Sequence, residues 1–254
     1  MPNQAKQCAA RLRRTTFHFI LTMNKIHSYS ENLKELIQKF ENTSVDLGTD
    51  VLKENLRKLL KGYACLTRKM ESSYAFRARI NSGNKLFKEV KDLWYPPKEL
   101  IRKPGRLNRE GQPIFYVSAF HDIATLEVQP KIGDCVTILR LKLKDAKRLP
   151  HVMELGVAET QSQYNLSRSF QILENTTMRN IFNDESEIRN NSLIRSFIAK
   201  LLMQIVKKGN KAHYRKTVAL SEILMCSSEI DGVLYPSIAG DGSRKGGGMN
   251  GFKT

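Results

Sequence analysis

One stretch of the chain, residues 105–127, restricts the fold because it places a loop, a strand and a short helix in direct succession. Glycine and proline bound the loop, which carries Arg106, and they allow the backbone to approach a ligand closely. The four residues from Ile114 are aromatic or β-branched, and they predict a buried strand that contains Tyr116. A turn of helix is expected to follow and to carry Glu127. A cation, an aromatic ring and a carboxylate close together suit a ligand that has both a phosphate and a ring.

A second strand is predicted over residues 74–80, where apolar and polar side chains alternate with period two. This alternation places Arg77 and Arg79 on one face, where they are either solvated or line a cleft. Further strands are expected at residues 136–143 and 233–235 from their branched and aromatic residues. The two arginines are therefore candidates for a binding cleft beside the first stretch.

Helical periodicity is typical of much of the remaining chain. Two amphipathic helices are predicted within residues 28–63, residues 151–212 are expected to be mainly helical, and another helix is expected over 213–225. Strands and helices do not alternate in a βαβ rhythm, which favours the α+β class. We divide the chain into a basic N-terminal arm and helical extension at residues 1–72 and a domain at 73–254. The domain contains the mainly helical segment as an insert.

The cysteine, histidine and hydropathy patterns predict a cytoplasmic protein without a metal site or a membrane span. The four cysteines are scattered and form no C-x-x-C pair, as is usual for reduced thiols. The histidines are isolated, so no metal ligands are predicted. No apolar run reaches the roughly 18–20 residues that cross a membrane. Residues 17–23 are apolar, but no small-residue cleavage site follows them, so a strand is expected there instead of a signal peptide.

The chain is strongly basic, with 42 Lys and Arg against 25 Asp and Glu and a formal net charge of +17. Such a balance favours polyanions, acidic partners or phosphorylated small molecules as ligands. The charge is spread along the chain, and no nucleic-acid-binding motif accompanies it. Nucleic acid is therefore not expected as a partner, and a solvated basic surface accounts for most of the lysines.

Taken in order, these segments resemble the RES domain family, which is named for its Arg, Glu and Ser residues. The family pattern joins an Arg after an aromatic residue, a G-R-x-N-x-x-G-x-P-x-x-Y-x-S block, a Glu, a D-G-x-x-Y-P-S block and a late Asn. The corresponding residues here are Phe76, Arg77, Gly105, Arg106, Asn108, Gly111, Pro113, Tyr116, Ser118, Glu127, Asp231 to Ser237, and Asn250. The resemblance covers about residues 74–252, and several independent positions match in the family's order.

The resemblance implies an ADP-ribosyltransferase-like fold, in which a split mixed β-sheet with surrounding helices holds NAD in a central cleft. The helical extension before the domain lies outside the resemblance. Characterised members of the family are toxins that destroy NAD with inorganic phosphate or water as the acceptor. The resemblance thus implies NAD as substrate, inorganic phosphate as a candidate co-substrate and no other cofactor. A helix-turn-helix antitoxin and self-association are the protein partners to consider.

The resemblance also implies a role for each matching residue. Arg77 and Arg106 would hold the dinucleotide phosphates or an attacking inorganic phosphate, since a guanidinium group donates two parallel hydrogen bonds to an oxyanion. Arg79 competes with Arg77 for this role, and Asn108 and Asn250 would complete the binding set. Three further residues would act at the nicotinamide end. These are Tyr116, which would stack on the ring, Glu127, which would stabilise the developing oxocarbenium ion, and Ser237, which would bond the ribose or carboxamide.

Each of these residues also has an ordinary structural explanation. Alone, Arg106 would be an exposed loop charge, Tyr116 a core residue and Glu127 a carboxylate on a helix surface. Two other functions stay open, a mono-ADP-ribosyltransferase on the same fold and a catalytically inactive basic binding module. The glycine-rich residues 240–251 are longer and more basic than the family pattern, which places the role of Asn250 in question. The joint occurrence of the set in family order favours the NAD-degrading enzyme.

Overall fold

The computed structural model of the chain describes residues 17–20, 32–70, 74–83, 86–142, 149–157, 159, 176–182, 184–206, 214–226, 228–237 and 248–253. Residues 17–20 and 248–253 are described through their backbone alone. The predicted basic arm before residue 17 and most of the glycine-rich tail lie outside these ranges. The description below concerns these residues.

Eight strands form one mixed sheet in the order β1-β2-β6-β7-β8-β4-β3-β5. The strands are β1 Phe17–Ile20, β2 Cys65–Lys69, β3 Tyr74–Ile80, β4 Ile114–Ser118, β5 Val136–Lys142, β6 His151–Glu154, β7 Gly232–Pro236 and β8 Gly248–Lys253. Strands β6 and β7 are parallel, and every other neighbouring pair is antiparallel. The strands predicted around β3, β4, β5 and β7 are confirmed, as is the strand expected within residues 17–23.

Helices pack on the sheet and fill the main core. They are α1 Leu33–Asn42, α2 Thr49–Leu59, α3 His121–Glu127, α4 Glu185–Met203 and α5 Tyr214–Leu224, with 3-10 turns at Val90–Leu93 and Lys98–Leu100. In α2 the fully buried residues are Leu52, Leu56 and Leu59, whose spacing keeps them on one helix face. They join a single apolar cluster with Ile198 of α4 and Met153 of β6. The α+β class is therefore confirmed.

Residues on either side of position 72 share this sheet and this core. Strand β2 precedes that position and pairs with β6, where Thr67 lies opposite Met153. The same residue of β6 lies opposite Val233 of β7. The prediction of helix across residues 151–154 was wrong, because a strand of four residues is too short for its period to be recognised. The helical extension thus packs as part of the main body of the molecule.

Strands β3 and β4 have the least pairing of any neighbours in the sheet, since they pair only where Phe76 lies opposite Ser118. A continued antiparallel ladder would next bring Ala78 opposite Tyr116. Instead the two strands diverge, although β3 pairs with β5 along its whole length and β4 pairs with β8 along its whole length. The backbone of Tyr116 is therefore accessible to a side chain from the β3 side.

Gly156, which follows β6, offers a test of how α4 packs on the sheet. Its φ of +75° is in the left-handed region, and a Cβ atom there would lie 2.8 Å from the Cα atom of Ala199. Gly156→Ala should lower the free energy of unfolding by strain and by overpacking, about 1–3 kcal/mol for the overpacking alone. Urea-induced unfolding of the purified variant would measure this loss.

Gly111 supplies the matched control, since its φ of +72° is similar but nothing lies within 4 Å of a Cβ atom placed there. Gly111→Ala should therefore cost only the backbone strain, about 1–2 kcal/mol. Equal losses in the two variants would show that α4 does not approach Gly156 closely.

Candidate functional site

Two of the predicted catalytic residues, Glu127 and Ser237, are in direct contact. Glu127 is the last residue of α3, and Ser237 follows the last residue of β7. The hydroxyl of Ser237 donates a hydrogen bond to Oε1 of Glu127 across 110 positions of sequence. Ser237 is buried and Glu127 is half-buried. The second carboxylate oxygen of Glu127 has no hydrogen-bond partner among the described residues, so it is available to a ligand.

Tyr116 fixes the loop before β4. Its hydroxyl accepts a hydrogen bond from the Leu107 backbone N–H at 3.0 Å and donates one to Oδ1 of Asn108 at 2.9 Å. Burial raises the pKa of this hydroxyl above its usual value. Asn108 is itself buried, and its side-chain amide donates to the Arg109 carbonyl at 3.0 Å. The predicted binding residues Tyr116 and Asn108 thus hold each other, with the tyrosine ring half-buried beside the core.

Gly105 is required by the same arrangement. A Cβ atom at this position would lie 2.4 Å from Oδ1 of Asn108 and 3.2 Å from the Tyr116 hydroxyl oxygen. The Gly105 N–H also donates to the Asn108 carbonyl at 2.9 Å, which closes the turn. A side chain at this position would break the contact between the loop and Tyr116.

Helix α5 holds the other side of this loop. The hydroxyl of Thr217 donates to the carbonyl of Arg106, and that of Ser221 donates to the carbonyl of Leu107 at 2.5 Å. Both hydroxyls are buried, and their spacing of four residues places them on one face of the helix. Sequence reasoning missed these two residues, although a pair of hydroxyl residues on the apolar face of a helix is a signal of backbone contacts.

Arg77 lies at the divergence of β3 and β4. Its Nη1 donates to the Tyr116 carbonyl at 3.0 Å, and its guanidinium carbon lies 4.8 Å from the centroid of the Phe115 ring. The Nε atom is buried and has no hydrogen-bond partner. Burial, followed by repulsion from Arg79, lowers the pKa of Arg77 to about 10. No carboxylate pairs with Arg77 among the described residues, so this cation lacks an anion.

The other two arginines also donate to backbone carbonyls. Arg106 donates to the carbonyls of Leu202 and Gln204 at the end of α4, and its guanidinium carbon lies 5.3 Å from the Tyr214 ring centroid. A cation in this position stabilises the carbonyl end of a helix. Arg79 donates to the Asp92 carbonyl at 3.1 Å. Arg77 is distinguished from Arg79 by its buried Nε atom, which has no hydrogen-bond partner.

The predicted residues lie on two faces of the sheet. Tyr116 and Tyr235 pack with the helical core, whereas Phe115 points to the opposite face, as neighbours in a strand do. Arg77 shares the face of Phe115 and reaches Tyr116 only through its carbonyl. The structure therefore brings Glu127 together with Ser237 and Tyr116 together with Asn108, and it places Arg77 on the other face of β4.

Asn250 lies on β8, between the two strands that carry the site. The register places it opposite Val117 of β4 and opposite Leu234 of β7. Its backbone position is thus next to both Tyr116 and Tyr235. The sequence did not indicate this strand, because residues 248–251 are rich in glycine, which is unfavourable inside strands.

Tyr235 is the tyrosine of the D-G-x-x-Y-P-S block, and no separate role was predicted for it beyond its place in a strand. It is buried, and burial raises its pKa well above the usual value, with smaller contributions from Tyr116 and Glu127. Its position two residues before Ser237 places both side chains on one face. This period-two spacing is the signal that relates Tyr235 to Ser237.

The assembled residues can bind and stabilise charge without supplying a strong nucleophile. Burial raises the pKa of the Cys65 thiol to about 12, so this thiol is protonated near neutral pH. Within the described ranges, no three His, Cys, Asp or Glu side chains are placed to hold a metal ion. What the geometry offers is a carboxylate oriented by a serine, a half-buried aromatic ring and an arginine without an anion.

Replacing Tyr116 with Phe tests whether its hydroxyl fixes the loop. The change leaves the Leu107 N–H and the Asn108 Oδ1 without their partner, so the free energy of unfolding should fall by about 1–3 kcal/mol. Chemical denaturation would measure the loss. Tyr95→Phe is the control, since the Tyr95 hydroxyl has no hydrogen-bond partner among the described residues and the change should stay within about 0.5 kcal/mol. A Tyr116→Phe variant as stable as the control would contradict the assignment.

Among the described residues, no helix is long and apolar enough to span a membrane. Comparison with known proteins gives no relative, since no family model matches the chain and neither a curated protein nor a solved structure shows significant similarity. The functional assignment therefore depends on the residues and contacts described above.

Proposed function

We propose that this protein is an NAD-degrading enzyme of the RES type with an ADP-ribosyltransferase-like fold. The observation that carries the proposal is the hydrogen bond from Ser237 to Glu127, which joins two residues that the family pattern assigns to catalysis. Tyr235, two residues before Ser237, interacts electrostatically with both Glu127 and Tyr116, which supports the same site.

The chemistry requires little more than these residues provide. Nicotinamide in NAD is a cationic leaving group, so the bond between the ribose carbon and the ring nitrogen breaks with its electron pair going to nicotinamide. Glu127 stabilises the positive charge that develops on the ribose, and Ser237 orients the carboxylate. An oxygen of phosphate or water then bonds the ribose carbon, and the acceptor releases a proton if it is protonated. No general acid is needed for the departure of nicotinamide.

Arg77 is the principal phosphate ligand in this proposal. Its Nε lacks a partner and no carboxylate competes for it within the described part of the chain. Arg106 would have to release the carbonyls at the end of α4 before it bound a phosphate, so we assign it mainly to the loop. A dinucleotide lying across the edge of β4, where β3 diverges, would reach both Arg77 and Glu127.

An enzyme that destroys NAD is harmful to the cell in which it acts. We therefore propose a toxin that works in the cytoplasm, where its substrate is abundant, and that is restrained by a helix-turn-helix antitoxin. Expression of the chain in a bacterial host should arrest growth and lower the NAD content, and inactivation of Glu127 should prevent both effects.

Incubation of the purified protein with NAD, with and without inorganic phosphate, tests the activity. Glu127→Gln should lower the rate of NAD loss by about 10²- to 10³-fold, because it removes the charge that stabilises the transition state. Ser237→Ala should lower it less, by about 10- to 100-fold, as expected for one hydrogen bond to a charged group. Chromatography of nicotinamide and of the ADP-ribose product would follow the reaction.

Glu110→Gln is the matched control, since Glu110 is an exposed glutamate on the loop before β4. It should retain the wild-type rate. NAD that survives the wild-type protein would overturn the proposal, and equal NAD loss with Glu127→Gln would overturn the site. Transfer of labelled ADP-ribose to protein would favour the mono-ADP-ribosyltransferase alternative, and salt-sensitive binding of nucleic acid without NAD loss would favour the binding module.

A further inference from the structure

Three aromatic rings form a cluster on the face of β4 opposite Tyr116. The ring centroids of Trp94 and Tyr95 lie 4.7 and 4.9 Å from that of Phe115. Phe115 is 6% exposed and packs beneath the surface against the other two rings, whereas Trp94 is 42% exposed. A large aromatic ring that packs against two others and still exposes 42% of its residue surface is suited to stacking with a planar ligand.

The backbone holds Trp94 in this position. The preceding 3-10 turn is anchored by Leu93, which is 5% exposed, and by the bond from Arg79 to the Asp92 carbonyl. Two prolines, Pro96 and Pro97, follow and restrict the backbone on the other side. The exposure of the Trp94 ring is therefore a feature of an anchored segment.

Arg77 belongs to the same cluster. Its guanidinium group stacks on Phe115, the ring that also supports Trp94 and Tyr95. Its buried Nε has no partner, and no carboxylate contacts it among the described residues. The partly exposed Trp94 ring and the uncompensated Arg77 cation thus both pack against Phe115. A planar ring that carries a phosphate satisfies both at once.

We propose that the open face of Trp94 binds the adenine ring of the dinucleotide while Arg77 binds its pyrophosphate. The inference rests on the proposed function, because it makes this cluster the adenylate end of the same NAD site. The nicotinamide end then lies at Glu127 and Ser237, beyond the edge of β4. Trp94 would determine preference for a purine dinucleotide over a mononucleotide that has only the nicotinamide half.

Trp94 is the only tryptophan of the chain, so intrinsic fluorescence reports on this site without a mutation. AMP should quench the Trp94 emission along a saturable curve, beyond the collisional quenching of a free tryptophan derivative. Ribose 5-phosphate, which has the phosphate but no base, should not quench it. Absence of saturable quenching by AMP would overturn the proposal, as would equal quenching by both ligands.

Steady-state kinetics gives a second test that involves catalysis. The ratio of kcat/KM for NAD to kcat/KM for nicotinamide mononucleotide should fall about tenfold or more in Trp94→Ala, mainly through KM for NAD. Leu100→Ala is the control, since Leu100 is 66% exposed in the same segment and the ratio should not change. A ratio that stays at the wild-type value in Trp94→Ala would overturn the adenine assignment.

The two proposals can fail separately. Saturable quenching by AMP in a protein that leaves NAD intact would retain the purine site and reject the NAD-degrading activity. Loss of NAD that depends on Glu127, without quenching by AMP and with an unchanged substrate ratio in Trp94→Ala, would retain the activity and reject the purine site.

Discussion

Tyr116 is held at both of its ends, and this double attachment keeps the parts of the site in place. Its carbonyl accepts a hydrogen bond from Arg77, and its hydroxyl joins the backbone of Leu107 to the side chain of Asn108. The central strand β4 thus connects the cation on one face with the loop on the other. Because β8 pairs with both β4 and β7, the same strand is also linked to the segment that delivers Ser237.

Arg77 lies buried where β3 diverges from β4, and burial of its charge costs electrostatic free energy. Burial of Arg77 lowers its pKa to about 10, so below that pH the folded state holds a charged group that is better solvated in the unfolded chain. Stability should therefore rise as the pH increases from about 10 toward the ordinary arginine value of 12.5. A bound anion would offset this cost at neutral pH. Such a balance is typical of binding sites, where stability is lost in the absence of the ligand.

The sequence predicted the strands that have a clear local period, β3 and β5, and the aromatic strand β4. It did not predict β2, β6 or β8, which are short or rich in glycine and depend on pairing with distant residues. For the site, family order suggested that Glu127 and Ser237 meet. It could not show that Arg106 binds the end of α4, because the packing of that helix decides which carbonyls need donors.

The position of β8 in the sheet also has a consequence for the order of folding. This strand comes after every other described strand in the chain, yet it lies between β7 and β4 and pairs with both. Until it is synthesised, the two strands have open edges and nothing in the sheet joins the Tyr116 side to the Ser237 side. Pairing over such a sequence distance is also slow. The growing chain would thus join the two halves of its candidate site only once β8 has been synthesised.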